Sequence, residues 1–416
     1  MSTTILFFIF LCTFAAMKAK LLVILSTIMA FVSCHESYEY KTVICIPVYG
    51  QSLALGEEAT RITNFDSLAN YANGRIVTER MDHQFGYFDN NSTKQWFKEM
   101  TGYTKHAFEL SIYNMGRVLV DATGPDTLIC IFPGGQGATA IANLSKGSKP
   151  YQKFIDNIKN AYEEATDRGW AFTVPAICWM QGESDIVDYP ETDYQQMLKQ
   201  IREDMNADIK GITHQDTAIP FICYQANSLT RAKQFNANHY ECRETYVPQT
   251  FVGLLSSDEH FWASGPTYPY NCVGEKIHID AHGQQAIGKL AARSVLGILR
   301  GAERYHGLIP MTVETEGENV IIQFNNSTHL TFDTIQVRKT ENYGFSVINK
   351  ENKDIASAVT VDSATVLITC SESPKDCKVR YAVNGDYMKS GNQHGPRGNL
   401  RDAAGNWCYQ FDMPCK

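Results

Sequence analysis

The stretch VICIPVYGQSLALG, residues 43–56, joins an apolar segment to a polar turn. Residues 43–48 have the composition of a buried strand, and the chain then breaks into Gly50-Gln51-Ser52. Two interpretations are open. The turn is either an ordinary strand-to-helix connection of small residues or the site of a nucleophilic serine held at the carboxyl edge of a sheet. The surrounding sequence decides between them.

From residue 41 to about 303, apolar runs alternate with amphipathic segments. Helical spacing of apolar residues predicts helices at about 107–120, 151–168, 192–207 and 284–300. The strand-like runs between them are apolar throughout, which is typical of a parallel sheet covered on both faces; they include DTLICIFPGG, FTVPAICWM, AIPFICYQ and TFVGLLSS. We therefore predict an α/β domain whose ligand crevice lies at the carboxyl ends of the strands.

Residues 304–416 have a different pattern, with short alternating runs separated by polar turns. This pattern predicts a small all-β accessory domain resembling a β-sandwich. A plain structural role is the preferred interpretation. A carbohydrate-binding module is the alternative, and its candidate contact residues are Tyr387, His394, Arg397 and Trp407.

The N-terminal 34 residues have the features of an export signal. A basic start at Met17, a short apolar region and a small residue at the end are typical of a signal peptide, and neither apolar run is long enough to cross a membrane. Met17 is therefore the expected true start. Ser33-Cys34 resembles the lipobox of bacterial lipoproteins, which predicts lipidation at Cys34; a plain signal peptide with an incidental cysteine is the alternative.

The chain of 416 residues is acidic, with a formal net charge of −8. Removing residues 1–33 takes away Lys18 and Lys20 and changes the charge from −8 to −10. A protein this acidic has no electrostatic basis for binding nucleic acid.

The cysteines divide into two groups by context. Four lie in apolar strand-like runs and are expected to be small buried hydrophobic residues: Cys45, Cys130, Cys178 and Cys223. Six lie in polar, loop-like sequence, and on an exported chain they suggest disulfides, most simply 242–272, 370–377 and 408–415, although other pairings remain open. No Cys/His spacing predicts a zinc site.

Polar residues gather after the predicted strand ends. In chain order they are Gln51-Ser52, a glycine block at 134–139, Gln181-Gly182-Glu183-Ser184-Asp185, Asp258-Glu259-His260 and Glu275-Lys276-Ile277-His278. Each group alone is weak evidence, since a glycine-rich loop is most often a turn and a lone histidine is most often structural. Together they supply a nucleophile, donors for an oxyanion and an acid near a histidine, which indicates a serine hydrolase.

The same blocks resemble the SGNH hydrolase superfamily, and within it the carbohydrate and sialate O-acetylesterase (SASA-type) branch. WMQGESD, residues 179–185, is the most specific of them. The resemblance covers about residues 41–303 and implies a three-layer α/β/α sandwich with a parallel, flavodoxin-like sheet. In the glycine block, Ala138 replaces a family glycine.

The resemblance also implies site roles. Ser52 is the expected nucleophile and His278 the general base, with the backbone N–H groups of Ser52 and Gly137 and the side-chain amide of Gln181 as oxyanion donors. The expected substrate-binding or supporting residues are Gln51, Glu183, Asp185 and His260.

Three carboxylates are candidates for the acid partner of His278. Glu275 stands three residues before the histidine, where the family has an aspartate, and is the expected partner. Asp280 is expected at the start of the last helix, where a carboxylate is favoured. Asp258 is expected to line the crevice with His260.

These expectations describe an exported carbohydrate O-acetylesterase that works through an acetyl-Ser52 intermediate and needs no metal or organic cofactor. The expected partner is an acetylated carbohydrate, and the expected location is the bacterial periplasm or cell surface, with the membrane contacted only through lipid on Cys34. A short-chain lipase or thioesterase and a catalytically inactive glycan-binding surface lipoprotein are the alternatives.

Overall fold

The computed structural model describes residues 42–78, the backbone of 98–99, and residues 108–189, 192–232, 246–325 and 329–416. Residues 42–416 belong to one compact unit. The expected signal segment, the Cys34 lipidation site and Cys242 lie outside the described residues.

A mostly parallel sheet forms the centre of the N-terminal two thirds. Its strands are β1 (Thr42–Gly50), β2 (Ile76–Thr78), β3 (Lys98–Glu99), β4 (Thr127–Gly135), β5 (Ala171–Thr173), β6 (Ile177–Met180), β7 (Phe221–Gln225) and β8 (Phe261–Pro266). Their order is β3-β2-β4-β1-β6-β7-β8, with β5 also paired to β1, and only the β2–β3 pair is antiparallel. All of the apolar strand-like runs except TFVGLLSS therefore lie in the predicted parallel sheet.

Helices cover the sheet in two groups. They are α1 (Phe65–Ala72), α2 (Ser111–Ala122), α3 (Lys149–Asp167), α4 (Glu183–Asp188), α5 (Tyr194–Thr213), α6 (Val247–Ser257) and α7 (Ala281–Leu299). Helix α2 packs against α7, while α3 packs against α5 and α5 against α6. Strand β4 contacts both α2 and α3, so one group lies on each face. This confirms the predicted three-layer α/β/α fold.

Antiparallel strands make up the C-terminal region, as predicted. One sheet has the order β13 (Ala356–Asp362), β14 (Thr365–Cys370), β10 (Asn319–Phe324), β9 (Pro310–Glu316). Strands β12 (Phe345–Ile348), β15 (Lys378–Tyr381) and β17 (Phe411–Pro414) form a second, and β11 (Leu330–Phe332) pairs with β16 (Leu400–Asp402). The boundary near residue 304 stays a prediction.

One predicted strand is wrong. TFVGLLSS forms most of helix α6, which buries Val247, Phe251, Leu254 and Leu255 and has Pro248 in its first turn. Proline is favoured there because the first-turn N–H has no helical acceptor. His260 consequently precedes strand β8 instead of following a strand. It lies at the amino edge of the parallel sheet with Asp258, and the expectation that these residues line the crevice is corrected.

Two of the expected disulfides, 370–377 and 408–415, are not formed, and the third, 242–272, includes Cys242, which lies outside the described residues. Every cysteine among the described residues is a free thiol. Strand β17 separates Cys408 from Cys415, and the backbone N–H of Cys415 donates to the carbonyl of Cys377 at 2.8 Å. The cysteines predicted to be buried in strands, such as Cys45 and Cys223, are fully buried.

Within the described residues, no helix has both the length and the apolar character needed to cross a membrane.

Candidate active site

The turn after β1 holds Ser52 against the neighbouring strand ends. The N–H of Gln51 donates to the carbonyl of Met180 at 3.0 Å. A β-carbon on Gly50 would overlap that same carbonyl oxygen, so only glycine allows the close approach. The carbonyl of Ser52 accepts from the N–H of Glu57 at 3.0 Å, which closes the turn, and the Ser52 side chain is buried. The serine is therefore held firmly at the carboxyl edge of the sheet.

His278 reaches this serine from the loop before α7. Its Nε2 lies 2.8 Å from Ser52 Oγ. The carbonyl of His278 accepts from the N–H of Val273 at 2.8 Å, which ties down the loop. Asp280 caps α7 by accepting from the N–H of Gly283 at 2.8 Å, as predicted. The loop and the helix cap together fix the position of the imidazole.

The carboxylate that contacts His278 is Glu58. Its Oε2 lies 2.6 Å from Nδ1 of His278, and this bond holds the pKa of the Glu58 carboxyl below its usual range. Glu58 has a φ of 63°, a left-handed conformation that is rare for a side chain of this size. Such strain tends to persist at functional sites because the surrounding structure enforces it. A proton on Nδ1 leaves Nε2 free to accept the serine proton.

The expected Glu275–His278 pair is not formed. Glu275 instead accepts from Nζ of Lys389 at 2.5 Å, and its other oxygen lies 3.5 Å from Nε2 of His394. Glu275 ends a short 3₁₀ turn, Val273–Glu275, whose left-handed φ of 57° at this residue turns it toward the C-terminal region. The family spacing of three residues is present in the sequence, but the local backbone directs the carboxylate elsewhere.

Two backbone N–H groups form the candidate oxyanion hole. In the described part of the chain, the N–H groups of Ser52 and Gly137 donate to no protein acceptor. Gly137 follows β4, which is bonded to β1 along its whole length, so both donors lie at the same sheet edge as the serine. Backbone N–H groups of this kind stabilise the negative oxygen of a tetrahedral intermediate.

Gln181 does not fit its expected role as a third donor. The side chain is fully buried, and its Nε2 donates to the carbonyl of Thr139 at 3.1 Å and to Oδ2 of Asp185 at 2.5 Å. Its Oε1 accepts from the hydroxyl of Tyr194 at 2.7 Å. An amide has only two N–H bonds to give, so Gln181 joins the glycine block to helix α4 instead of facing the oxyanion.

Three of the other expected supporting residues form hydrogen bonds near the serine: Gln51, Glu183 and Asp185. Oε1 of Gln51 accepts from the N–H of Ser184 at 3.2 Å, and Asp185 accepts from the N–H of Ile141 at 2.9 Å. Glu183 is buried and accepts from the hydroxyl of Tyr224 at 2.7 Å. Burial raises the pKa of Glu183 to about 7 and that of Asp185 to about 6. These carboxyls anchor the turns that surround the serine.

Sequence reasoning missed Glu57 and Glu58. Oε1 of Glu57 lies against Gly137, close enough that a β-carbon at that position would overlap it. Both carboxylates stand on the nucleophile's own turn, five and six residues after Ser52. The acidic pair on this turn is visible in the sequence, but the left-handed backbone that turns Glu58 toward His278 is not.

Ser52, His278 and Glu58, set at the carboxyl edge of a parallel α/β sheet beside two backbone donors, have the arrangement of a serine hydrolase site. The comparisons with known proteins agree with this class. Residues 113–297 match the model of the family described as carbohydrate esterase, sialic acid-specific acetylesterase. This match confirms the resemblance to that esterase family and supports an esterase function.

Three solved structures are similar to this chain, and the first of them shares its fold. A carbohydrate acetylesterase from Xanthomonas citri is 14% identical over 89% of this chain and 80% of its own, with a TM-score of 0.62. A protein from Arabidopsis thaliana is 15% identical over 61% of this chain and 98% of its own, with a TM-score of 0.43. The protein NanS is 14% identical over 63% of this chain and 99% of its own, with a TM-score of 0.44. No curated protein sequence matches this chain significantly.

Proposed function

We propose that the protein is a carbohydrate O-acetylesterase that works through an acetyl ester on Ser52. The observation that carries the proposal is the unbroken path from Ser52 Oγ through the His278 ring to Glu58, with separations of 2.8 and 2.6 Å. The family match at residues 113–297 supports the acetyl ester as the reacting group.

The reaction follows from this geometry. Nε2 of His278 takes the Ser52 proton while Oγ forms a bond to the acetyl carbonyl carbon, and the N–H groups of Ser52 and Gly137 receive the oxyanion. The bond to the sugar oxygen then breaks, and His278 gives its proton to that oxygen. Water activated by the same nitrogen attacks the acetyl-enzyme and releases acetate. Glu58 holds the ring and stabilises its positive charge in both halves.

The experiment compares ester chain lengths and acetylated sugars. We expect p-nitrophenyl acetate to be hydrolysed with a much higher kcat/KM than the octanoate, and acetylated sugars to release acetate. Ser52→Ala should abolish both activities while leaving the fold unchanged. A preference for octanoate would favour the short-chain lipase or thioesterase alternative. The absence of any turnover would favour the inactive glycan-binding alternative.

Export and anchoring are a separate proposal that rests on the Ser33-Cys34 motif. Expression from Met17 in a bacterium should give a lipidated N-terminal Cys34, and Cys34→Ser should release the protein from membranes. Mass spectrometry of the mature N-terminus checks this, and an unmodified start at another residue would contradict it.

A further inference from the structure

Glu57 is a carboxylate at the candidate active site that takes no part in the catalytic steps proposed above. It lies between the nucleophile turn and the glycine block, with Oε1 against Gly137. It is half-buried, and this burial raises the pKa of its carboxyl above the usual range, with Glu58 acting in the same direction and His278 in the opposite one. The residue therefore lies beside the position where the acetyl group and its sugar must sit during the reaction.

The Glu57 carboxylate is not neutralised by a partner. Across the described residues, no lysine, arginine or histidine forms an ion pair with it, and no donor forms a hydrogen bond to it. The nearby cation Lys276 acts on Glu58 instead. The oxygens of a half-buried, unpaired carboxylate favour a hydrogen-bond donor. A sugar hydroxyl is such a donor.

Two carboxylates follow Ser52 on its own turn. Oε1 of Glu57 lies against Gly137, and Oε2 of Glu58 lies 2.6 Å from Nδ1 of His278. A substrate carboxylate placed beside the scissile acetyl group would therefore meet like charges at short range in a partly desolvated crevice. Such repulsion is a means of rejecting the wrong substrate.

We propose that Glu57 is a specificity-determining residue that selects uncharged acetylated sugars: it accepts a hydrogen bond from a hydroxyl near the acetylated position and rejects sugars that carry a carboxylate there. This inference rests on the proposed acetylesterase function and narrows its substrate class. It separates the protein from an enzyme that acts on acetylated acidic sugars.

The test measures kcat/KM at pH 8 for two substrates, an acetylated methyl hexoside and an O-acetylated sialic acid. The wild type should favour the uncharged sugar by about tenfold or more. Glu57→Gln should lower that preference by about tenfold, because the repulsion is removed while an amide oxygen can still accept the hydroxyl. Glu57→Asp keeps the charge and should keep the direction of the preference.

Glu259→Gln is the matched control, because Glu259 is exposed and precedes β8 at the opposite edge of the sheet. It should leave the substrate preference unchanged. Raising the ionic strength on the unmodified protein should improve the anionic substrate selectively, and this measurement does not depend on the folding of a variant.

The outcomes are distinguishable. Acetate released from both sugars, with the same preference in the wild type and in Glu57→Gln, would overturn the inference and leave the proposed function standing. A wild-type preference for the sialic acid would also overturn it. If neither sugar released acetate while p-nitrophenyl acetate was hydrolysed, the proposed carbohydrate substrate would fail first, and the inference with it.

Discussion

At the scale of single residues, the two sides of the His278 ring lie in different environments. Its Nε2 faces the buried Ser52, whereas its Nδ1 faces Glu58, whose side chain is 43% exposed. Water reaches the acid and weakens its field, so much of its effect should come from fixing the ring orientation and tautomer. The left-handed backbone of Glu58 holds the carboxylate in place for this purpose.

Replacing Glu58 with glutamine tests this role. Glu58→Gln should lower kcat by about 100-fold or more with a smaller change in KM, because the amide has no charge to stabilise the imidazolium and can donate its N–H to Nδ1, which favours the wrong ring tautomer. Steady-state kinetics with p-nitrophenyl acetate measure both kcat and KM. Glu275→Gln is the matched control and should stay within a few fold of the wild type, since Glu275 pairs with Lys389. The reverse pattern would restore the acid role to Glu275.

Glu183 makes stability depend on pH in an unusual direction. Burial raises the pKa of its carboxyl to about 7, above the value in an unfolded chain. The folded protein therefore holds a proton that the unfolded chain has already lost. This contribution is fully present below about pH 4.5 and is lost as the pH rises through about 7.

Unfolding in urea at pH 5 and pH 8 measures this contribution. The free energy of unfolding of the wild type should fall between these values, and Glu183→Gln should remove about 2 kcal/mol of the fall. Glu314→Gln, an exposed change on β9, should show the wild-type dependence. Identical pH dependence in Glu183→Gln and the wild type would show that Glu183 is ionised throughout.

At the scale of elements, the glycine block differs at one position from the esterase pattern that it resembles, and the backbone there is strained. Ala138 has a φ of 50°, where a side chain costs about 1–2 kcal/mol. Ala138→Gly relieves that cost but makes the unfolded chain more flexible, so we expect a net gain of about 0.5–1 kcal/mol in unfolding free energy.

Ala140→Gly is the control for this change. Ala140 lies two residues later with a φ of −68°, where glycine relieves no strain. It should lower the unfolding free energy by about 0.5–1 kcal/mol. Denaturant unfolding measures the free energy of unfolding of both variants. A loss of stability in both would show that the backbone at Ala138 is not strained.

Some strands, helices and site residues follow directly from the sequence pattern, and others do not. Long apolar strands and helices with regular spacing, such as β4 and α3, follow from local pattern because burial on a known face determines their composition. The segment TFVGLLSS failed because a short apolar run is compatible with either element. At the site, Ser52 and His278 were recognisable from their motifs, whereas the Glu58 contact depends on one left-handed residue, a feature that no spacing reveals.

At the scale of the whole molecule, the C-terminal region packs on the loops that carry the site. The N–H of Ser390 donates to the carbonyl of Glu275 at 2.9 Å, and that of Asn392 donates to Tyr270 at 3.1 Å. Deeper in the structure, the buried hydroxyl of Tyr268 lies 3.1 Å from that of Tyr381. The loop that presents His278 is therefore supported by residues from beyond the predicted domain boundary.

Gln225 gives the sharpest test of this connection. It is fully buried at the end of β7, where its Nε2 donates to the carbonyl of Gln410 at 2.8 Å and its Oε1 accepts from the N–H of Gln410 at 2.7 Å. Gln225→Leu would leave the backbone carbonyl and the backbone N–H of Gln410 buried without these partners, at a cost of about 1–3 kcal/mol for each group. Gln323→Leu, an exposed change on β10, should be nearly neutral.

Calorimetry distinguishes one cooperative unit from two. Because the site loops and the C-terminal strands share buried hydrogen bonds, we expect a single transition whose calorimetric and van't Hoff enthalpies agree. In Gln225→Leu that whole transition should move to lower temperature, and near-ultraviolet signals and esterase activity should be lost together. Two transitions, with only one of them shifted by Gln225→Leu, would show instead that residues 304–416 fold as the independent accessory domain that the sequence pattern predicts.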